Sequence, residues 1–347
     1  MTDRAGSRAG TAVGGQKTRV AVAGASGFAG QELLRWMAGH PRAQITVAMS
    51  SSPDGPARSL PALAKIWDGV IEPFSADKLA EVADVVFLAL PEEAAATLAP
   101  TLVERGVRVI DLSGAFRLRD AALREKWYPA TKLGSLKPVY GLTERNYAEI
   151  AGARLLTNPG CYPTAALLAL EPLAEAGLLA GDIVIDAKSG ISGAGKKPND
   201  RTHFSENHGS VSAYGVFGHR HQPEIEQELG APVTFVPHLV PLDRGILETI
   251  YGKVRPATSA NDVADVMAAA YRTAPFVRLT GERLPEIKHA AYTNFCDIGW
   301  RVDSTNCRIL LVAVIDNLVK GAAGQAIQNF NVMLGLDERT GLLPLTS

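Results

Sequence analysis

Cysteine is scarce. Three of 347 residues, Cys161, Cys296 and Cys307, carry a thiol. An odd, low count without regular spacing excludes a disulfide framework, and no CxxC or His/Cys cluster points to a structural metal, so no metal is expected. This usage fits a reducing compartment, the cytoplasm. A surplus of one charge sign is also missing: 35 Lys and Arg against 36 Asp and Glu leave a net charge of -1. That balance argues against nucleic acid or an anionic membrane as partner. No apolar run is long enough to span a bilayer. Residues 1–17 lack the apolar centre of a secretory signal and most of the Arg- and Ser-rich character of a transit segment, and read as a disordered extension. What the chain does have is 46% hydrophobic and 20% charged residues, enough for a sizeable core in one large domain or two ordinary ones.

From Thr18 strands and helices alternate. Thr18–Ala23 predicts a buried strand, Gln31–Ala38 a helix ended by His40-Pro41, and Ile45–Met49 a second strand. Asp84–Leu90 and Val107–Leu112 predict further strands around an Ala-rich helix, Glu92–Arg105. This alternation implies a Rossmann-type, doubly wound parallel sheet in an α/β fold. Farther on, Asp182–Ala187, Val233–Pro237, Ile246–Val254 and Arg308–Ile315 are strand-like, with few helices between them beyond Ala260–Arg272. That spacing predicts a second, α+β domain with a mixed or antiparallel sheet and helices on one face. A last helix, Lys320–Leu334, follows directly from a strand and is placed to return to the first domain. The expected division is 18–160 for nucleotide binding, completed by 319–347, and 161–318 for substrate and oligomerisation.

Gly24-Ala-Ser-Gly27-Phe-Ala-Gly30 falls between the first strand and helix. Gly27 and Gly30 let backbone approach a pyrophosphate and the helix pack close to the sheet, with free N–H groups facing the phosphate. The spacing is GxxGxxG rather than GxGxxG, and a plain tight turn is the alternative. Where an NAD enzyme places an acid for the ribose 2′-hydroxyl, this chain reads Met49-Ser50-Ser51-Ser52, with Arg58 nearby. Hydroxyls and a guanidinium suit a 2′-phosphate, which favours NADP(H); a merely polar loop is the alternative.

Thr157-Asn158-Pro-Gly160-Cys161-Tyr-Pro163-Thr164 joins a strand at Arg154–Leu156 to an apolar helix at Ala165–Ala176. Cys161 then sits at a helix N-terminus, which lowers a thiol pKa, beside N–H groups able to hold an oxyanion. A lone Cys is otherwise a small buried hydrophobe, the reading given to Cys296 and Cys307. Gly218-His219-Arg220-His221-Gln-Pro223-Glu224-Ile225 opens a helix expected at Pro223. In an extended segment His219 and His221 share a face, one to serve the thiol as acid/base and the other a substrate anion; one functional and one surface His is the alternative. His203, His208, His238 and His289 read as ordinary polar residues. Lys188–Lys196 is a Gly-rich, anion-binding or plain loop, and Asp316–Gln325 a small-residue turn beside a cofactor or a packed helix.

The Asn158–Thr164 segment, the His219–Ile225 segment and Asp316-Asn-Leu-Val-Lys-Gly-Ala-Ala-Gly-Gln-Ala326 together resemble N-acetyl-gamma-glutamyl-phosphate reductase of arginine biosynthesis. Gly24–Gly30, Tyr140–Glu144 and Ser189–Gly195 match that pattern too. The resemblance runs from Thr18 to about Leu343 and extends more distantly to aspartate-semialdehyde dehydrogenase. It implies NADPH-dependent conversion of N-acetyl-glutamyl 5-phosphate to the semialdehyde with release of inorganic phosphate, by a homodimer or homotetramer. Two departures stand out: Ser113-Gly-Ala115-Phe-Arg117 lacks the family's acid before Phe-Arg, and Pro91 is followed by Glu92-Glu93 rather than His-Gly.

The implied mechanism is attack of the Cys161 thiolate on the acyl-phosphate carbonyl, a thioester, hydride delivery and collapse to aldehyde. The resemblance favours His221 as acid/base with His219 beside it, although the sequence does not show which carries the proton. Arg117 and Arg220 are anion contacts; Ser113, Ser189 and Tyr214, with Asn158 and Glu224, complete the substrate candidates. The cofactor candidates are Gly24, Ser26, Gly27, Phe28, Ala29, Gly30, Ser50, Ser51, Ser52, Leu90, Pro91, Ser192, Gly193, Asn317 and Lys320. The same chemistry on N-acetyl-aminoadipate phosphate or a carrier-linked amino acid of lysine biosynthesis is one alternative. A non-catalytic NADP-sensing protein is the other.

Overall fold

A computed structural model describes residues 16–343. Most of the 1–17 extension, and 344–347 of the C-terminal segment, lie outside the described residues. The first sheet holds seven strands: β1 (Thr18–Ala23), β2 (Ala43–Met49), β3 (Ile71–Glu72), β4 (Val85–Leu88), β5 (Arg108–Asp111), β6 (Val139–Tyr140) and β7 (Leu155–Thr157). They pair in parallel in the order β3-β2-β1-β4-β5-β7-β6. The apolar runs VAVA and VVFL are buried, as strands covered on both faces must be. The strand order reverses beside β1, opening a crevice at the carboxyl ends of β1 and β4. Around this sheet lie α1 (Phe28–Ala38), α2 (Ala76–Val82), α3 (Glu92–Glu104), α4 (Ala121–Trp127) and α5 (Thr143–Ala151).

Next, α6 (Cys161–Glu175) leads into the second sheet. Twelve of its 15 residues are buried, the pattern of a helix enclosed on all sides. The strands are β8 (Leu179–Gly190), β9 (Ser212–Ala213), β10 (Thr234–Val240), β11 (Ile246–Val254), β12 (Val277–Gly281), β13 (Cys296–Asp303) and β14 (Arg308–Ile315), in the order β12-β13-β14-β11-β8-β10-β9. Two pairs, β8–β10 and β12–β13, are parallel and the others antiparallel, so the sheet is mixed. Of the later helices α7 (Phe204–Asn207), α8 (His221–Leu229), α9 (Ala260–Tyr271) and α10 (Ile287–Ala290), α8 and α9 pack with α6 over this sheet. Finally α11 (Gly324–Met333) places Ile327 and Phe330 against Val20, Val22 and Phe87 of the first sheet.

Three local expectations are corrected. Helix α8 begins at His221, not Pro223, because Pro lacks only an N–H that the first turn leaves free anyway. The last helix is broken in two: Val319–Ala323 is a π-turn, and regular α-helix starts at Gly324. The connection between Arg272 and Arg308, where no strand was expected, holds β12 and β13.

Candidate active site

The glycine turn lies at the crevice of the first sheet. Gly24 has φ +83°, and a Cβ there would fall 2.1 Å from the Ala89 carbonyl oxygen. A Cβ on Gly30 would fall 2.3 Å from the Gly24 oxygen. Both positions therefore require glycine, and the close approach draws the first turn of α1, with Phe28, Ala29 and Gly30, over the end of β1. Ser26, Ser50, Ser51, Ser52 and Arg58 line one pocket of about 330 Å³ beside it. The Ser50 hydroxyl donates to the Ser52 carbonyl at 2.6 Å, which fixes the turn. A larger cavity of about 1000 Å³ runs from Phe28 past Ser192, Lys196 and Arg244 to Leu318. Lys196 ties its two walls together by donating to the Ser26 carbonyl. Leu90 and Pro91 close the turn from the β4 side, where a Gly24 Cβ would also lie 3.3 Å from the Leu90 nitrogen.

The residues after β7 form a different kind of turn. Gly160 is the N-cap of α6 and Cys161 its first residue. A Cβ on Gly160 would meet His221 Nε2 at 2.6 Å and Arg117 Nη1 at 2.9 Å, so glycine lets both side chains reach the cysteine turn. Gly321, in the π-turn, presses on Cys161 from the other side: its Cβ would fall 2.7 Å from the Cys161 Cβ. The turn is fixed by buried charge. The Gly160 N–H and the Tyr140 hydroxyl both donate to Glu224 Oε1 at 2.8 Å. Arg117 donates to the carbonyls of Asn158 and Leu112 and pairs with Glu224 Oε2 at 3.4 Å. Asn158 donates to the Ala322 carbonyl and accepts from Asn329, which joins the turn to α11.

His219 and His221 meet with ring centroids 4.8 Å apart, and Tyr162 lies 5.8 Å from each. They are not neighbours on an extended segment, as expected from their spacing. The chain turns into α8 at Arg220, and the His221 N–H donates to His219 Nδ1 at 3.1 Å. Arg117 Nη1 faces His221 Nε2 at 3.4 Å. A guanidinium can only donate, so Nε2 is the acceptor and Nδ1 carries the proton. That Nδ1 is buried without a hydrogen-bond partner. Tyr214 joins the same cluster, its ring 5.5 Å from His219 and its hydroxyl 3.2 Å from that of Tyr162.

The electrostatics correct the expectation of a ready thiolate. Packing around the sulfur pushes the Cys161 thiol up to about 12, against a smaller opposing pull from Arg117. Burial holds His219 down to about 4 and His221 well below its ordinary value. The site is thus poised as neutral thiol beside neutral imidazoles, and His219 offers no positive charge to a substrate anion. Here the desolvation cost outweighs the favourable helix-terminus position.

Several sequence candidates are already engaged by partners within the protein. Lys320 is fully buried and bound to Glu144 and Gln328, so it is not a cofactor contact. Glu224 is fully buried and spent on Gly160, Tyr140 and Arg117, and Asn158 on Ala322 and Asn329; neither is free for substrate. Ser113 is engaged with Asp111, which burial raises to about 6. Ser189 donates to the Gly190 carbonyl, and a Gly193 Cβ would fall 2.7 Å from its Oγ. Asn317 clamps the Gly-rich loop by donating to Ser192 Oγ and accepting from the Gly245 N–H. Arg220 is half exposed and paired with Glu92. Sequence reasoning quoted Tyr140, Tyr162 and Gly321 within matching segments but gave them no role, and did not single out Arg244 or Asn329. Gly321 had a signal in its run of small residues; Arg244 and Asn329 become visible only through partners distant in sequence. Among the described residues, no cluster of three His, Cys, Asp or Glu could hold a metal ion.

Comparison with known proteins agrees with this layout. A family model described as the NAD binding domain of semialdehyde dehydrogenase matches 19–153, and one described as its dimerisation domain matches 161–317. An N-acetyl-gamma-glutamyl-phosphate reductase of Geobacillus sp. (strain WCH70) is 46% identical, over 93% of this chain and 98% of the relative. One of Geobacillus stearothermophilus is 47% identical, over 94% and 98%. Among solved structures, aspartate semialdehyde dehydrogenase II of Vibrio cholerae aligns with a TM-score of 0.71 at 20% identity, over 92% of this chain and 99% of the other. An aspartate semialdehyde dehydrogenase of Candida albicans, solved with NADP, aligns with a TM-score of 0.67 at 17% identity, over 92% and 98%. At those identities the structures establish the fold.

Proposed function

The chain belongs to the N-acetyl-gamma-glutamyl-phosphate reductases, within the semialdehyde dehydrogenase family, and from that membership we propose that it reduces N-acetyl-L-glutamyl 5-phosphate to N-acetyl-L-glutamate 5-semialdehyde. The observation that carries this reading is the meeting of Cys161, His221 and Arg117 at Gly160, in a turn where a single added methyl would collide with both partners.

The nucleophile is Cys161. Because its thiol is neutral, attack on the acyl-phosphate carbonyl is coupled to loss of the sulfhydryl proton to a neutral histidine, His221, whose Nε2 gives up its 3.4 Å contact with Arg117 to take it, with His219 beside it. The C–O bond to phosphate breaks, inorganic phosphate departs and a thioester remains on Cys161. N–H groups at the start of α6 are placed for the carbonyl oxygen. A nicotinamide cofactor, when bound, supplies the hydride that reduces this thioester. Release of the aldehyde returns an electron pair to sulfur, which recovers its proton from the histidine.

The glycine cradle fits a pyrophosphate, since Gly24 and Gly30, where a Cβ would strike backbone, let the N-terminus of α1 pack close over the end of β1. Gly24, Ser26, Gly27, Phe28, Ala29 and Gly30, with Leu90, Pro91, Ser192 and Gly193, would hold the dinucleotide. Ser50, Ser51, Ser52 and Arg58 would take a 2′-phosphate, which favours NADP(H). Residues 18–160 with the C-terminal helix form the nucleotide unit of this reading, and 161–318 the substrate unit. The dimerisation-domain match supports a homodimer or homotetramer, and the scarcity of cysteine favours a reducing compartment, the cytoplasm.

Cys161→Ser is the test. Turnover of N-acetyl-glutamyl phosphate should fall at least ~10³-fold, on the scale of losing a nucleophile, while NADP(H) binding, followed by fluorescence, stays within a fewfold. Retained turnover would refute the assignment.

A further inference from the structure

Both guanidiniums that contact or adjoin the catalytic histidines already have a carboxylate. Arg117 pairs with Glu224, and the two side chains are 6% and 1% exposed. Arg220, between His219 and His221 in sequence, pairs with Glu92, and these are 49% and 30% exposed. An acyl phosphate brings a dianionic group attached to the very carbon that Cys161 attacks. That group must therefore settle beside the histidines, where in the free protein each arginine is matched.

The two pairs are not equally able to open. Glu224 is held from three directions, by Gly160, Tyr140 and Arg117, and freeing it would leave a buried charge uncompensated and undo the cysteine turn. Glu92 is the first residue of α3, directly after Pro91 at the end of the β4 segment that abuts Gly24. It reaches Arg220 from the nucleotide side, and both partners can be rehydrated at little cost. Phosphate is the better ligand for a guanidinium, since it offers two charges and a bidentate edge.

We propose that Glu92 is a resident counter-ion that occupies Arg220 in the free protein and is displaced when the substrate's phosphate group binds there. Arg220 is then the phosphate-binding residue, and Glu92 sets the affinity: it lowers the hold on inorganic phosphate after its release and discourages weaker, monoanionic groups. The departure Pro91-Glu92-Glu93 thereby acquires a role. This inference rests on the proposed activity but is tested without turnover.

The experiment is calorimetric titration of inorganic phosphate into the NADP-loaded protein and its Glu92→Gln, Arg220→Gln and doubly substituted variants. Removing the competitor should tighten phosphate about three- to fivefold, the scale of one partly exposed ion pair. Arg220→Gln should weaken it, and adding Glu92→Gln to Arg220→Gln should change nothing further. Unchanged affinity in Glu92→Gln, or equal tightening with Arg220 absent, would overturn the proposal. Circular dichroism checks that each variant is folded. Failure of the unaltered protein to turn over N-acetyl-glutamyl phosphate would count against the activity, a result separate from this titration.

Discussion

Two turns in this molecule share one plan, strand to glycine to helix, and use it in opposite ways. After β1, glycine brings backbone against backbone: Gly24 lies on Ala89 and Gly30 on Gly24. The result is an open cradle of N–H groups with few side chains. After β7, glycine brings side chains inward: His221 and Arg117 fill the space a Gly160 Cβ would take, and Cys161 abuts Gly321. The first turn is held mainly by backbone hydrogen bonds, the second by the side-chain carboxylate of Glu224. A cradle made of backbone binds what lies outside it, whereas a turn made of charged side chains governs the reactivity of what lies within.

The comparison breaks most readily at Glu224. Glu224→Ala leaves Arg117 buried without its carboxylate and orphans the Gly160 N–H and Tyr140 hydroxyl. A loss of about 3–5 kcal/mol is expected, as for a buried pair that loses one partner. Urea unfolding measures it, and a loss below about 1 kcal/mol would show that the turn does not depend on this charge. Gly24→Ala tests the other turn. A left-handed φ and a carbonyl 2.1 Å from the new Cβ should cost about 2–3 kcal/mol. NADP(H) affinity should drop at least about tenfold, worth 1.4 kcal/mol, while the alkylation rate of Cys161 stays close to that of the unaltered protein. If alkylation changes as much as nucleotide affinity, the two turns are not independent.

The cradle was legible because its determinants are local. The apolar run of β1, the glycine spacing and the serines after β2 lie within 35 residues of one another, and Ile246–Val254 and Arg308–Ile315 were bounded correctly for the same reason, an apolar pattern contained in the strand. The chemistry of the cysteine turn was less so. Arg117 finds its counter-ion in Glu224, 107 residues later, and the local sequence around Ala115 gives no sign of it. Lys320, read as a cofactor contact among small residues, finds Glu144 at a separation of 176. Strand β13 escaped notice because Asp297 and Gly299 disrupt its apolar character; Asp297 is buried there only because Arg278 of β12 pairs with it. The position of Cys161 at a helix start was legible, but its surroundings were not, and the surroundings decide its protonation.

That protonation gives the smallest effect and the sharpest discrimination between the two turns. If the helix terminus governed the thiol, alkylation by iodoacetamide would saturate by about pH 7, as for activated cysteines at helix N-termini. With the thiol pushed up to about 12 by its packing, the rate in the free protein should be slow at pH 8 and still rising at pH 10. Stability shares this origin. The folded value lies above the ordinary 9.0, so the neutral thiol favours the fold below pH 9, and that contribution is lost as pH climbs toward 12. Cys161→Ser should therefore flatten the fall in stability above pH 9 that the thiol causes. An alkylation plateau near neutrality would show instead that the N–H groups of α6 and the Arg117 charge outweigh desolvation. The cysteine turn would then resemble the glycine cradle after all, a place where backbone dipoles set the chemistry.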